Sequence, residues 1–231
     1  MNIMNYKDLF YFDIETVSKY RNLIEFEDND KRGYELFLKK LNRKSDNYPD
    51  WKEDPALVYV NKTPLMPEYG KIVCVTMAYY KNDELKMKSV YGDDEEKLVT
   101  DVHKVFDNIG KNTTFGTCGY YIKGFDIPWL CKKMMKYGLE IPIMLKTFNV
   151  KPWEKNVFDL AEVWRSSGTL ENVSFDEMLH DLGVDSPKDD ISGEEVGKVY
   201  WQDENLDRIK EYCEKDVIAC VDAAKKISHL V

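Results

Sequence analysis

Acidic side chains occupy an apolar, strand-like segment near the start of the chain. The run LFYFDIETVS, residues 9–18, carries Asp13 and Glu15 one residue apart. Alternation along a strand places both carboxylates on one face with Leu9 and Tyr11, so both faces of the run are largely apolar. Such a pattern is typical of a strand covered on each side. Two carboxylates there are unfavourable unless they form a site.

A second acidic position follows in the middle of the chain. In GYYIKGFDIPWL, residues 119–130, Asp126 follows Phe125 and precedes an apolar helical pattern with Pro128 near its start. Asp before an early Pro is typical of a helix N-cap, so capping is one interpretation of Asp126. The other interpretation is a carboxylate that serves a site at the start of the helix.

The third position is in RIKEYCEKDVIACVDAAKKI, residues 208–227, which predicts an amphipathic helix. Tyr212 and Asp216 are four residues apart and share a face, and Asp216 adjoins the apolar stripe. A carboxylate against apolar surface is unfavourable unless it is paired or binds a metal ion. The alternatives are an Asp at the edge of the stripe that reaches solvent and a Tyr that packs in the core. The predicted buried stripe consists of Ile209, Cys213, Val217, Cys220, Ala224 and Ile227.

Together the three segments resemble a known motif set. The D-x-E on the first strand, the F-D at a helix start and the Y-x-x-x-D on the last helix are similar to the DEDDy branch of the DnaQ-like 3′–5′ exonucleases. That branch includes polymerase proofreading domains and ribonuclease D. The chain looks closest to relatives of the exonuclease domain of family B DNA polymerases, through EYGKIVCVTMAYY, FDLAEVWR, SFDEMLHDLGVDSPKDDISGEEV and IKEYCEKDV.

The resemblance implies a metal-dependent site. It implies that Asp13 contacts two divalent ions, that Glu15 and Asp216 lie on the nucleophile side, and that Asp126 helps to hold the second ion. Mg²⁺ and Mn²⁺ prefer such oxygen ligands. Two such ions activate water, neutralise the phosphate and stabilise the leaving 3′-oxygen in phosphodiester hydrolysis. A phenol with a pKa of about 10 is a poor base, so we expect Tyr212 to orient the attacking water by hydrogen bond.

Four further residues are candidates for substrate contact. Thr16 resembles the family position that approaches the 3′-terminal nucleotide. Tyr121 and Phe125 are candidates for stacking on bases, with core packing as the alternative. Lys188, in the SPKDD turn, is a candidate for a phosphate contact, with a solvated lysine as the alternative. The family usually carries Asn where this chain has Tyr121, which bears on substrate positioning or local structure rather than on metal chemistry.

The segments between these residues predict alternating strands and helices. Residues 71–83 and 85–92 are rich in β-branched and aromatic residues and predict a hairpin with its turn at Asn82-Asp83. Further predicted elements are a first strand that ends at about Thr16, a helix over 95–109 stopped by Gly110, a short strand in TTFGTCGY, a helix ending at Gly138, and a last helix over about 205–228. This order predicts an α/β fold. The resemblance implies a ribonuclease H-like fold with a central mixed five-stranded sheet flanked by helices.

Residues 18–66 are polar and dense in charge. Tyr34, Phe37, Leu38 and Leu41 recur there at helical spacing, which predicts at least one amphipathic helix. We expect this segment to be a charged helical insertion between the first and second strands. It is unlike the compact proofreading domains of the family. The 231 residues fit a single exonuclease domain, 1–231.

Composition limits the setting of the protein. The net charge of −9 argues against a nucleic-acid partner, but a site built of carboxylates is locally acidic until it binds cations. The five cysteines form no CxxC pair, which favours reduced thiols in the cytoplasm over a zinc site or disulfides. No run approaches the roughly 20 apolar residues that span a bilayer, and we recognise no secretory signal.

From these features we expect a 3′–5′ exonuclease that acts on single-stranded DNA with two Mg²⁺ or Mn²⁺ ions. A role in proofreading or DNA repair, beside a polymerase or another replication partner, fits that activity. One alternative is a 3′–5′ exoribonuclease similar to ribonuclease D. Another is a catalytically silent nucleic-acid-binding or polymerase-associated module that retains the fold.

Overall fold

The computed structural model of the chain describes residues 5–52, 54–112, 115–148, 157–166, 171, 173–186 and 191–230. A five-stranded mixed sheet of order β3-β2-β1-β4-β5 lies at the centre of this part of the chain. Its strands are β1 (Leu9–Ser18), β2 (Gly70–Lys81), β3 (Glu84–Tyr91), β4 (Gly116–Gly119) and β5 (Val157–Asp159). The pairs β1–β2 and β2–β3 are antiparallel, whereas β1–β4 and β4–β5 are parallel. This is the α/β architecture that the sequence predicts for a ribonuclease H-like exonuclease fold.

Helices cover both faces of the sheet. They are α1 (Leu23–Asn29), α2 (Lys31–Ser45), α3 (Pro55–Lys62), α4 (Glu95–Asn112), α5 (Asp126–Lys136), α6 (Leu160–Trp164), α7 (Phe175–Leu182), α8 (Val196–Trp201) and α9 (Leu206–Ile227). Within the described residues, no helix combines the length and the apolar character needed to cross a membrane.

The central strand β1 is buried on both sides, as its alternation predicts. Phe10 and Phe12 pack in a core with residues of α4 and α5. Leu9 and Tyr11 pack on the opposite face against residues of α9. Since β1 lies in the middle of the sheet, its side chains can meet elements from either layer.

The predicted hairpin is confirmed, and its turn has a specific cause. Asn82 and Asp83 have φ angles of 52° and 63°, and the ladder closes on the pair Lys81 and Glu84. Two consecutive left-handed residues form the type I′ turn that matches the twist of paired strands. Asn and Asp tolerate that conformation better than other side chains do.

Two of the predicted boundaries are wrong. β1 does not end at Thr16, because Val17 and Ser18 continue to pair with β2. Helix α4 does not stop at Gly110 but runs through it to Asn112. A Cβ on Gly110 would lie 3.0 Å from a side-chain atom of Ile143, so this glycine allows the turn at Ile143–Leu145, after α5, to pack closely on the helix.

The predicted end of α5 at Gly138 is confirmed by its backbone geometry. Gly138 has a φ of 68°, and the N–H of Leu139 donates to the carbonyl of Met134 at 2.9 Å. This pair of features is the Schellman arrangement, in which a left-handed glycine lets the chain turn back on the last carbonyls of a helix.

The segment between β1 and β2 folds around a small core of its own. Phe26 of α1, Phe37 and Leu41 of α2 and Val58 and Tyr59 of α3 are buried together. The expected amphipathic helix is therefore α2. The division into one domain with an insertion over 18–66 stays a prediction.

Candidate active site

The end of β1 that carries Asp13 and Glu15 is free of β4. The ladder between the two strands ends with Tyr11 opposite Cys118. Beyond it, the N–H of Ile14 donates to Oδ1 of Asp126 at 3.1 Å. Asp126, the first residue of α5, thus bonds to β1 beyond the point where β4 ends, and it lies beside both Asp13 and Glu15.

The interpretation of Asp126 as the N-cap of its helix is wrong. The N-cap of α5 is Phe125, which makes no side-chain capping bond. Asp126 is buried, and its carboxylate accepts the β1 amide instead. A buried carboxylate needs such donors, because its hydration is lost.

A bulge in the β1–β2 ladder adjoins Glu15. Glu15 lies opposite Cys74, but the next residue, Thr16, lies opposite Ile72. Val73 and Cys74 consequently both pack on the α9 side of the sheet. Bulges bend strands and redirect side chains, and they are frequent beside active sites. Here the bulge sets the direction of the strand just past the acidic pair.

Helix α9 brings the remaining predicted residues to the same place. Tyr212 is buried, and its side chain hydrogen-bonds to Asp216. The charges of the Glu15 and Asp13 carboxylates also raise the pKa of the Tyr212 hydroxyl. The structure therefore brings all five predicted catalytic residues together, from β1, α5 and α9.

A thiol that sequence reasoning missed completes the cluster. The Sγ of Cys213 lies 3.3 Å from Oδ2 of Asp13 and 3.5 Å from the Asp13 carbonyl oxygen. Among the described residues, Asp13, Glu15 and Cys213 form a group whose potential ligand atoms all lie within 4.8 Å of one another. The sequence indicates only that Cys213 is in the apolar stripe of α9, next to Tyr212. Contact with Asp13 depends on how α9 crosses the sheet.

The pKa values of Asp13, Glu15 and Asp126 are raised. Burial raises the pKa of Asp13 well above its usual range, and the carboxylates of Asp126 and Asp216 add to the effect. Burial, followed by the charges of Asp13 and Asp216, does the same to the pKa of Glu15. Burial also raises the pKa of Asp126 to about 7, although the Ile14 amide opposes the shift. Besides burial, neighbouring carboxylates are the main charged groups that raise these pKa values, and Cys74 adds a smaller effect at Asp13 and Glu15.

Such a cluster fits divalent cations. In the described part of the chain, Asp13, Glu15 and Asp126 form no salt bridge with a lysine, arginine or histidine. Converging oxygen donors without a protein cation are the ligand set that hard ions such as Mg²⁺ and Mn²⁺ prefer. A bound cation would place positive charge beside Asp13, Glu15 and Asp126.

The Tyr212 hydroxyl is held in its protonated form. Burial is the main reason that its pKa is raised, and the adjacent Asp216 carboxylate adds to it. The phenol therefore keeps its proton at neutral pH and acts as a hydrogen-bond donor. A phenol that keeps its proton is not a general base, and the expected role of Tyr212 in orienting the attacking water stays a prediction.

The predicted substrate contacts differ in their exposure. Thr16 is buried, and its hydroxyl donates to the Pro64 carbonyl at 2.6 Å. Phe125 is half-buried, with its ring centroid 5.8 Å from that of Trp129 at the core behind α5. Lys188 lies outside the described residues.

Tyr121 is exposed and has an uncommon backbone conformation. Its side chain is 47% exposed, and its φ is 58°. Left-handed φ is unfavourable for most side chains but several-fold enriched in Asn. The Asn that the family usually carries here is thus the residue type that this backbone favours. The ring of Tyr121 covers Gly124, where a Cβ would meet it at 2.4 Å.

Asp159 holds the loop that carries Tyr121 and leads to Asp126. The Tyr121 and Lys123 N–H groups donate to its two carboxylate oxygens at 3.0 and 2.9 Å, and the Ala161 N–H donates at 3.0 Å. Asp159 ends β5 and caps α6. Asp159 is the second residue of the segment FDLAEVWR, but nothing in that sequence pattern indicates the groups that it binds.

A model of a protein family, described as a predicted 3′–5′ exonuclease related to the exonuclease domain of PolB, matches residues 64–221. This range covers more than half of the chain and contains Asp126, Tyr212 and Asp216. It begins after Asp13 and Glu15. Among curated proteins, none matches the chain.

Proposed function

Since the chain belongs to the family of predicted 3′–5′ exonucleases related to the exonuclease domain of PolB, we propose that it removes nucleotides from the 3′ end of single-stranded DNA. The observation that carries the proposal is the convergence of Asp13, Glu15, Asp126 and Asp216 with Tyr212 at the open end of β1. The family, described as predicted 3′–5′ exonucleases, supports this reaction class, and the site supplies residues suited to it.

We assign the four carboxylates to two divalent cations, Mg²⁺ or Mn²⁺. When bound, such ions supply Lewis acidity for phosphodiester hydrolysis. The raised pKa values of Asp13, Glu15 and Asp126 support the assignment, because burial and mutual repulsion make the metal-free cluster unfavourable.

The other groups of the site position these carboxylates. The Ile14 amide fixes Asp126, and the Cys213 thiol contacts Asp13. Tyr212, whose O–H donates to Asp216, would accept a hydrogen bond from the attacking water through its phenol oxygen and so orient the water towards the scissile phosphate. Oriented groups of this kind lower the barrier by fixing the reactants near their reacting geometry.

DNA, proofreading and a polymerase or repair partner are parts of the proposal that rest on the relation to the exonuclease domain of PolB. All five cysteines are buried thiols, which supports the expected reducing, cytoplasmic setting. Exposed Tyr121 lies at the start of the loop that leads to Asp126 and is our candidate for stacking on a base.

The test uses single-stranded DNA, duplex DNA and RNA, each labelled separately at the 5′ and the 3′ end, with Mg²⁺ or Mn²⁺. We expect a ladder of shortening products from 5′-labelled single-stranded DNA and early release of a labelled mononucleotide from the 3′ end. Asp216→Asn should remove both signals. Preference for RNA would replace the substrate with an RNA, and internal or 5′ cleavage would contradict the exonuclease assignment.

A metal titration separates an active enzyme from a silent module. Binding of Mn²⁺ should raise the melting temperature of the protein, and the rise should be lost in Asp216→Asn. A silent module with the same fold would show neither carboxylate-dependent Mn²⁺ binding nor cleavage.

A further inference from the structure

Helix α2 carries charge opposite in sign to the chain as a whole. Its sequence, KRGYELFLKKLNRKS, holds six lysines and arginines and one acid, whereas the whole chain has a net charge of −9. A basic helix on an acidic protein creates a local positive potential that attracts anions.

Four of these cations form one continuous surface. Lys39, Lys40, Arg43 and Lys44 fall within roughly 140° of the helix circumference at 3.6 residues per turn. We call these four residues the cationic face. It flanks the buried stripe of Phe37, which packs α2 on the rest of its layer. Packing therefore fixes the cationic face towards the outside of the molecule.

The cationic face has aromatic partners rather than acidic ones. In the described part of the chain, none of its four residues forms a salt bridge. The Nζ of Lys40 lies 5.2 Å from the centroid of the Tyr69 ring, and the Nζ of Lys44 lies 4.5 Å from that of Tyr48. Cations interleaved with exposed or half-exposed rings are typical of surfaces that bind single strands without sequence preference.

The positive charges around Lys40 repel one another and lower its pKa. Burial lowers the pKa of Lys40, and the charges of Lys44, Lys132 and Arg43 lower it further, whereas Glu68 opposes them. Lys132 of α5 thus extends the positive region, although its Nζ also donates to Glu68 at 2.7 Å. Adjacent like charges of this kind are unfavourable until an anion binds.

Two structural connections, through Tyr69 and through Lys132, link the region of the cationic face to the candidate active site. The carbonyl of Tyr69 accepts from the N–H of Lys19, just past the end of β1 at Ser18. From Glu15 to Ser18 the strand rises roughly 10 Å. On α5, Lys132 is roughly 9 Å along the axis from Asp126. A single strand covers such distances in a few nucleotides.

We propose that the cationic face binds the phosphate backbone of a single-stranded nucleic acid whose 3′ end lies in the candidate active site. The inference rests on the proposed function and names the role of the segment between β1 and β2. The occupant is the phosphodiester backbone, because its regular negative charge complements spaced cations and its bases can stack on the tyrosine rings.

The test compares the double variant Lys39→Gln/Arg43→Gln with a matched control. Both residues are exposed, so the fold should be unaffected, which circular dichroism and melting temperature check. The control, Lys97→Gln/Lys104→Gln, removes the same charge from exposed positions of α4 that pair with Asp101. Binding of a fluorescent single-stranded oligonucleotide is measured by anisotropy in EDTA, so that no cleavage occurs, over a series of salt concentrations.

We expect the double variant to bind more weakly and to depend less on salt. Each phosphate contact on a single strand contributes about 0.7 to the slope of log K against log salt, so two lost contacts reduce the slope by roughly 1.4. The control should keep the wild-type slope. Cleavage of a dinucleotide, whose single phosphodiester lies in the candidate active site and leaves no phosphate for the cationic face, should be equal in wild type, variant and control.

The outcomes separate this inference from the proposed function. Equal slopes and affinities in wild type and double variant would overturn the role of the cationic face even if the enzyme cleaves DNA. Equal losses in variant and control would also overturn it, since only the net charge would then matter. A reduced slope in the double variant alone, without any nuclease activity, would retain the binding surface and refute the proposed function.

Discussion

The substitution Tyr121→Asn separates the stability of the fold from the binding of substrate. Tyr121 has a φ of 58°, and a left-handed conformation costs an ordinary residue about 1–2 kcal/mol. Asn tolerates it better, so the variant should gain about 1 kcal/mol in the free energy of unfolding. For a chain of this length, that corresponds to a rise of about 2–4 °C in melting temperature.

The same substitution removes an exposed ring at the loop before Asp126. Stacking of an aromatic side chain on a base contributes about 1–3 kcal/mol, which converts to a roughly 5- to 150-fold rise in KM for single-stranded DNA. The expected signature is therefore a more stable enzyme that binds its substrate less well. Tyr121→Phe is the control, because it keeps both the ring and the backbone strain and should match the wild type in both measurements.

Differential scanning fluorimetry and steady-state kinetics check the two halves independently. A fall in the melting temperature of Tyr121→Asn would show that packing of the ring on Gly124 outweighs the backbone strain. An unchanged KM would remove Tyr121 from the substrate-binding surface. Either result would refute the reasoning that links strain at this position to function.

Three other predictions concern the acids and the phenol of the site. Asp13→Asn should abolish cleavage and the Mn²⁺-dependent rise in melting temperature, yet raise the melting temperature in EDTA at neutral pH, since it removes one of the repelling carboxylates; retained cleavage would contradict the metal assignment. The metal-free protein should lose stability as pH rises. A carboxyl group whose pKa is raised on folding stabilises the folded state fully below its unfolded pKa of about 4. That stabilisation is lost as the pH rises through the folded pKa, which is about 7 for Asp126. Urea midpoints in EDTA across that range measure the trend, and a higher midpoint at the alkaline end would oppose it. Tyr212→Phe should lower kcat without changing Mn²⁺ binding measured by calorimetry; an unchanged kcat would leave the tyrosine a packing role only.

The parts of the site that follow from local periodicity can be predicted from the sequence. The period of two along β1 places Asp13 and Glu15 on one face, and the spacing of four along α9 places Tyr212 beside Asp216. Both relations depend only on the geometry of a single element. They hold wherever the element packs, and the structure has both.

The parts that depend on tertiary contacts could not be predicted in the same way. Asp126 fits the pattern of a helix cap, and only the fold shows that it accepts the Ile14 amide. Cys213 is an ordinary residue of an apolar stripe until α9 is packed on Asp13. Gly110 has the pattern of a helix stop, but it lies inside α4, where it lets Ile143 pack closely against the helix. In each case a local signal has two explanations, and a distant partner selects between them.

The wide separation in sequence of the site residues has a consequence for synthesis. Asp126 meets the β1 amide across 112 residues, and Cys213 meets Asp13 across 200. At translation rates of about 5–20 residues per second, roughly 10–40 seconds pass between the synthesis of β1 and that of its α9 partner. During that interval the central strand of the sheet lacks one of its covering layers, and such non-local pairings form slowly. The candidate active site should therefore be complete in a nascent chain only after α9 has left the ribosome.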